Sequence, residues 1–109
     1  MSIVKAVLNN HIPIAVIDGD LDPIGYDLVS ELSGEGALYC EYIDDDNFPA
    51  VVIVAPSNLY KLEQWRWLRD NFYNLEDVDF HQRMGRLFGY TENEINNYIN
   101  LNNIGVKIP

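Results

Sequence analysis

Residues Ala37 to Pro56 read ALYCEYIDDDNFPAVVIVAP, two apolar segments joined by a loop with three consecutive aspartates. In the first segment, residues 37–43, one set of alternating side chains includes a glutamate, which is typical of a strand with one partly wet face. The second segment, Ala50 to Ala55, is apolar throughout, which is typical of a central strand buried on both faces. The stretch therefore predicts a β-hairpin on which the other elements pack.

A third strand is predicted before this hairpin. Ile12 to Ile17 is a continuous apolar run of six residues, the length and composition of a buried strand. Pro13 places that strand at a sheet edge or marks its first residue, because proline lacks the N–H that a central ladder requires.

A helix is predicted between the first strand and the hairpin. Asp22 is a typical N-cap and Pro23 a typical first helical residue. The helix is expected to end at Gly34. The side chains expected to face inward are Ile24, Leu28 and Leu32. If this helix is a crossover, the strands on either side of it are parallel and the connection is right-handed.

Three consecutive helices are predicted in the C-terminal half. Ser57 or Asn58 caps the first, whose apolar stripe consists of Leu62, Trp65, Leu68 and Phe72. The last begins with a capping box formed by Thr91 and Glu94. The predicted fold class is α+β, or a small α/β: a mixed sheet of about three strands packed against a helical layer, with three consecutive C-terminal helices.

Size and composition limit the classes of protein further. A chain of 109 residues fits a single domain, 1–109, with one core. Its one cysteine, Cys40, excludes an internal disulfide framework and favours a reducing compartment. The longest apolar runs are too short to span a bilayer, so we expect no membrane partner and a cytoplasmic location, in a bacterial cell or phage-infected host.

The negative charge is concentrated in the first half of the chain. Residues 1–56 contain ten acidic side chains and one basic side chain, a net charge of −9, whereas residues 57–109 contain seven and six, a net charge of −1. An excess of this size repels nucleic acid and acidic membranes and attracts basic proteins. We therefore expect the first half to carry the interaction surface.

Two groups of aspartates follow the predicted strands. If the strands are parallel, both groups lie at one sheet edge, where open α/β sheets bind ligands. The six residues are Asp18, Asp20, Asp22, Asp44, Asp45 and Asp46. Such carboxylates could bind Mg²⁺, Mn²⁺ or Ca²⁺ and support metal-assisted hydrolysis. Their spacing matches no known metal site, however, so we predict no metal, cofactor or catalytic residue. The plainest interpretation is solvated loops in which Asp22 caps a helix.

Residues 81–100 have the spacing of a helix-turn-helix, with a small residue at Gly85, Gly89 in the turn, and Ile95 and Tyr98 packing back. The second helix of this pair has no lysine or arginine. Because phosphate neutralisation supplies most nonspecific affinity for nucleic acid, we expect a plain helical hairpin and no direct nucleic-acid binding.

These observations favour a non-enzymatic acidic inhibitor. In size and charge the chain is similar to phage anti-defence, anti-CRISPR and immunity-type inhibitors, which act as DNA mimics on basic grooves. The expected partner is a basic protein such as a nuclease or CRISPR effector. The expected partner-binding residues are Asp18, Asp20, Asp22, Glu41, Asp44, Asp45 and Asp46. The plain alternative is that the acidity only keeps a small protein soluble.

Two other function classes remain open. The last three helices offer an aromatic and basic surface for a homodimer or hetero-complex, with Trp67, Tyr73, Arg66 and Arg69 as its candidate residues. The third alternative is a divalent-metal-dependent enzyme that uses the aspartate groups.

Overall fold

The computed structural model describes residues 2–43 and 49–105. The chain forms two compact units, Met1–Glu63 and Gln64–Pro109, here called the sheet unit and the helical unit. The division falls inside a helix, between Glu63 and Gln64. The single domain expected from the chain length stays a prediction.

After a first short helix, the elements follow the predicted order. They are α1 (Ile3–Leu8), β1 (Ala15–Asp18), α2 (Pro23–Gly34), β2 (Tyr39–Ile43), β3 (Ala50–Val54), α3 (Leu59–Asp70), α4 (Asp77–Leu87) and α5 (Glu92–Leu101). Short 3₁₀ helices, Pro56–Asn58 and Phe72–Asn74, precede α3 and α4. The α+β class and the three consecutive C-terminal helices are confirmed. None of the helices in the described parts of the chain is long and apolar enough to cross a membrane.

The sheet has the strand order β1-β3-β2, and both pairings are antiparallel. The expectation of a mixed sheet is wrong, because β3 lies between the two strands that α2 connects. All five β3 residues are buried, so the most apolar strand occupies the central position, as predicted. Since β1 and β2 are each antiparallel to β3, they run in the same direction without pairing to one another.

Both α1 and α2 pack on one face of this sheet. Its core consists of Val4, Val7, Ala15, Ile17, Val29, Leu38, Val51 and Ile53. Partly buried side chains, among them Tyr26 and Cys40, complete this layer. The core of the sheet unit is thus aliphatic, and the predicted helical layer on the sheet is confirmed.

Strand β1 is shorter than the predicted run from Ile12 to Ile17. The N–H groups of His11 and Ile12 both donate to the carbonyl of Ala6, which closes the end of α1. Pro13 has no N–H, and the N–H groups of His11 and Ile12 are already used, so these three residues cannot donate hydrogen bonds to a neighbouring strand. The strand therefore begins at Ala15 and extends to Asp18.

Helix α2 begins at the predicted residue, but the glycine that terminates it is Gly36 and not the predicted Gly34. Asp22 Oδ1 accepts from the N–H of Gly25 at 2.9 Å, the bond expected of an N-cap. The helix includes Gly34, and the left-handed residue that follows its end is Gly36, with φ of 77°. The N–H of Ala37 donates to the carbonyl of Leu32, which completes a Schellman closure.

The α3 stripe is confirmed for Leu62, Trp65 and Leu68, all of which are buried. Phe72 is exposed, because α3 ends at Asp70 and the following residues adopt a 3₁₀ turn. The side chains of Ser57 and Asn58, the predicted caps of α3, donate to Oδ1 of Asn10 at 3.0 and 3.3 Å. These two bonds join the segment after β3 to the end of α1.

Candidate functional site

The antiparallel register places the ends of β1 and β2 at the same edge of the sheet. Asp18 and Ile43 are the last residues of these strands, and both are paired with Ala50 of β3. Because neighbouring strands are about 4.8 Å apart, the two Cα atoms are separated by about 10 Å. The shared edge expected for the two strand ends is therefore present, although β3 separates the strands.

The aspartates that follow β1 have clear local roles. Asp18 Oδ1 accepts from the backbone N–H of Asp20 at 2.8 Å and of Leu21 at 3.3 Å, and its carbonyl accepts from the N–H of Asp22 at 2.8 Å. Asp18 and Asp22 therefore shape the turn and the start of α2, while Asp20 projects into solvent.

The remaining predicted partner-binding residues are on or after β2. Glu41 is half-buried in β2, opposite Val52 of the central strand. Asp44, Asp45 and Asp46 lie outside the described residues. The structure thus brings Asp18 and the end of β2 to one edge.

Helix α2 turns an unexpected face to solvent. Ile24 was expected to point inward, but its side chain is 82% exposed, and the neighbouring Leu21 is 85% exposed. The expectation is wrong because the buried side of α2 is centred on Gly25 and Val29. Gly25 is required there, since a Cβ would collide with the capping carboxylate of Asp22.

The exposed side of α2 is acidic as well as apolar. Ile24, Asp27 and Glu31 follow one another at spacings of three and four residues, so they share a helix face, and all three are exposed. We call Asp20, Leu21, Ile24, Asp27 and Glu31 together the α2 surface. The spacing of Gly25 and Val29, one turn apart, was the signal in the sequence that could have located the opposite face.

An aromatic contact fixes α2 against β2 next to this surface. The rings of Tyr26 and Tyr42 meet edge to face, with centroids 5.7 Å apart. The pKa of the Tyr42 hydroxyl is raised, first by partial burial and then by the neighbouring Cys40 and Tyr26. Tyr42 therefore keeps its proton at neutral pH and adds no charge beside the acidic side chains.

In the helical unit, each tryptophan carries an arginine on its ring. The guanidinium of Arg69 lies 5.2 Å from the ring centroid of Trp65, and that of Arg83 lies 5.7 Å from Trp67. Trp65 is buried, whereas Trp67 is 49% exposed. Arg66 is half-buried on the same helix. These contacts between arginine and tryptophan side chains explain why α3 is rich in both residue types, and no nucleic-acid ligand is needed to explain it.

The most exposed aromatic side chain of this unit is Tyr73, at 94%. Its ring contacts Phe72 edge to face at 5.1 Å, and Phe72 contacts Phe80 of α4 in the same way at 4.9 Å. Trp67 and Tyr73 both lie off the buried stripe of α3, as predicted. They are two of the exposed aromatic side chains of the helical unit.

The α4–α5 hairpin has the packing expected from its glycines. Thr91 and Glu94 form the predicted capping box, with Thr91 N–H donating to Glu94 Oε1 at 2.9 Å and Glu94 N–H donating to Thr91 Oγ1 at 3.2 Å. Gly89 follows α4 with φ of 84°. Ile95 is buried. Helix α5 contains no lysine or arginine that could neutralise a phosphate of nucleic acid.

A divalent-metal centre finds no support in the described parts of the chain. Within residues 2–43 and 49–105, no three histidine, cysteine, aspartate or glutamate side chains come together as metal ligands do. The carboxylates of Asp18 and Asp22 face backbone N–H groups.

No protein-family model, no curated protein and no solved structure matches this chain.

Proposed function

We propose that this protein is a non-enzymatic acidic binding protein that uses the sheet unit to block a basic surface of a partner protein. The inhibitors of phage anti-defence, anti-CRISPR and immunity type are the functional class we propose. The partner is a basic protein such as a nuclease or CRISPR effector, and the blocked surface is one that otherwise binds nucleic acid. We place the encounter in the cytoplasm of a bacterial cell or phage-infected host.

The observation that carries this proposal is the composition of the α2 surface. Leu21 and Ile24 are almost fully exposed, and carboxylates flank them. The two residues are three positions apart, so their Cα atoms are separated by at most about 11 Å. Paired aliphatic side chains beside charged groups resemble the centre and rim of a protein interface, where apolar anchors are buried and charges surround them.

The charge distribution between the two units supports the same proposal. The sheet unit contains eleven acidic and two basic residues, a net charge of −9, and the helical unit contains six and five, a net charge of −1. Field lines from the sheet unit would therefore speed the encounter with a basic protein, while burial of Leu21 and Ile24 would slow dissociation. Asp18, Asp20, Asp22, Glu41 and Asp44 to Asp46 all belong to this acidic unit.

The experiment compares localised charge with total charge. The immobilised protein captures a basic protein from a bacterial lysate, and the purified captured protein is then measured by surface plasmon resonance. The test variant is D20N/D27N/E31Q, and the matched control is E35Q/E63Q/E76Q, which removes the same charge at other exposed positions. We expect the test variant to slow association several-fold more than the control, and L21A/I24A to speed dissociation about tenfold.

Two results would contradict the proposal. One is an equal association rate for the two charge variants, which would show that only the total charge matters and not the position of the carboxylates on the α2 surface. The other is an affinity that does not fall between 50 and 500 mM salt, because association steered by exposed charges weakens with screening.

A second candidate function is supported by the exposed aromatic groups of the helical unit. Trp67 and Tyr73 are exposed, and the unit is nearly neutral, so two copies could meet there with little repulsion. This alternative is a homodimer or a hetero-complex formed through the helical surface. Light scattering on W67A/Y73A separates the two candidates, since only the helical-surface alternative predicts that this variant changes the oligomeric state or the partner affinity.

A further inference from the structure

A cavity of about 520 Å³ lies between α4 and α5 in the helical unit. Four aromatic side chains line it: Phe80, Phe88, Tyr90 and Tyr98. Met84 and Ile95 add aliphatic wall, so most of the surface is apolar. A cavity of this size and lining is within the range of sites that bind small molecules, about 300 to 1,000 Å³.

The walls of the cavity are held in place by packing. A Cβ at Gly85 would lie 2.6 Å from Cγ1 of Ile95, so the two helices meet closely at this point. The ring of His81 contacts Phe80 at 5.4 Å and Tyr98 at 5.7 Å, which links the α4 wall to the α5 wall. The concave shape therefore exists before any ligand enters, and little ordering is needed on binding.

The charge of the lining has one sign. Among the described residues that line the cavity, Glu94 is the one with a formal charge at pH 7, with histidine counted as neutral, and none is lysine or arginine. Hydrogen bonds from Thr91 lower the pKa of the Glu94 carboxyl, which therefore stays ionised. The Thr91 bond uses Oε1, and a carboxylate has more acceptor sites than one bond occupies.

We propose that this cavity binds a small organic cation, an ammonium group carried on an apolar body. The faces of Phe80, Phe88, Tyr90 and Tyr98 have the negative quadrupole that attracts ammonium groups, and Glu94 supplies the opposite charge. The apolar body packs against Met84 and Ile95. This site lies within the helical unit and does not depend on the function proposed for the sheet unit.

The direct test uses three probes of similar size. They are benzyltrimethylammonium, benzyl alcohol and benzoate, titrated into the ¹⁵N-labelled protein and followed by the amide resonances of residues 80–98. We expect the cation to bind with a Kd on the order of millimolar, about five- to tenfold more tightly than the alcohol, and benzoate to bind most weakly.

Two pairs of variants assign the contacts. E94Q removes the charge but keeps the capping box, since glutamine serves equally at that position. We expect it to weaken cation binding about fivefold, while the control E76Q, which removes an exposed carboxylate outside the lining, has no effect. Y90A removes an exposed aromatic wall and should weaken binding to a similar degree, whereas Y73A should not.

Three outcomes would overturn the proposal. Equal binding of cation and alcohol, or an unchanged affinity in E94Q, would remove the cationic specificity. Shifts confined to residues outside the lining would remove the site.

Discussion

Ile95 of α5 packs so closely on Gly85 of α4 that a Cβ added to the glycine would lie 2.6 Å from the isoleucine Cγ1. Real Cβ atoms do not tolerate contacts this short, and the neighbour is a branched, buried side chain with few rotamers to choose from. The absence of a side chain at one position of α4 therefore sets how near α5 can approach.

Replacing Gly85 by alanine should destabilise the helical unit. The methyl group overpacks against Ile95, at a cost of about 1 to 3 kcal/mol, and alanine's better helix propensity offsets up to about 1 kcal/mol. We expect a net loss of about 1 to 2 kcal/mol in the free energy of unfolding, measured by urea denaturation.

Gly34→Ala is the matched control for this variant. Gly34 also lies in a helix, but its Cβ would meet nothing within 4 Å. Alanine should therefore stabilise by about 0.4 to 1 kcal/mol at that position. In the double variant G85A/I95A the cost of adding the methyl group should largely disappear. A cost that persists there would show that Ile95 is not the obstacle.

The N-cap of α2 gives a second prediction. Asp22→Ala removes the acceptor for the Gly25 N–H and should lower stability by about 1 kcal/mol in chemical denaturation. Asp20→Ala, two residues earlier and exposed, should change it by less than about 0.5 kcal/mol. Equal effects of the two substitutions would contradict the structural role of Asp22.

Acidification should destabilise the α4–α5 hairpin through two glutamates. Hydrogen bonds from Arg86 lower the pKa of Glu92, and those from Thr91 lower the pKa of Glu94. A carboxyl whose pKa is lower in the folded state stabilises the fold above its unfolded pKa and loses that contribution as the pH falls. The free energy of unfolding should therefore decrease from about pH 5 downward.

The variant E92Q/E94Q tests this pH dependence. Neither glutamine titrates, so the decrease in stability between pH 5 and pH 3 should be smaller than in the parent protein. E63Q/E76Q, which removes two other exposed carboxylates, should retain the full decrease. An identical pH profile for all three proteins would show that the hairpin carboxylates do not contribute.

The exposed aliphatic side chains of the α2 surface should be dispensable for folding. L21S/I24S removes two groups that are already in water, so unfolding should change by less than about 1 kcal/mol and solubility should rise. Val29→Ala, a truncation on the buried side of α2, should cost more than 1 kcal/mol in thermal or urea unfolding. A large loss of stability in L21S/I24S would mean that these side chains are packed in solution.

Features set by adjacent residues could be predicted from the sequence. The uniform apolar run from Ala50 to Val54 indicated a central strand, and the Asp22-Pro23 and Thr91-Glu94 patterns located two helix starts, because caps depend on residues within one turn. The capping role of Asp22, given as the plain interpretation of that residue, is present in the structure.

Features set by distant residues could not be predicted in this way. The insertion of β3 between β1 and β2 depends on pairing across more than thirty residues, and no local pattern encodes it. The exposure of Ile24 depends on which side of α2 meets the sheet. Leu28 and Leu32, predicted to face inward together with Ile24, do pack against the core, whereas Ile24 is exposed. The cavity between α4 and α5 is lined by side chains of both helices, among them Phe80 and Tyr98. The residue spacing predicted the hairpin, but the space between such side chains depends on how the two helices pack.

Both tryptophans of the chain, Trp65 and Trp67, belong to the helical unit, while residues 1–63 contain no tryptophan. Emission excited at 295 nm will therefore report the surroundings of these two side chains of α3. The Tyr26–Tyr42 contact gives the sheet unit a separate near-ultraviolet dichroism signal. If tryptophan emission and tyrosine dichroism are followed in one melting experiment, their two midpoints show whether the two units of this chain unfold together.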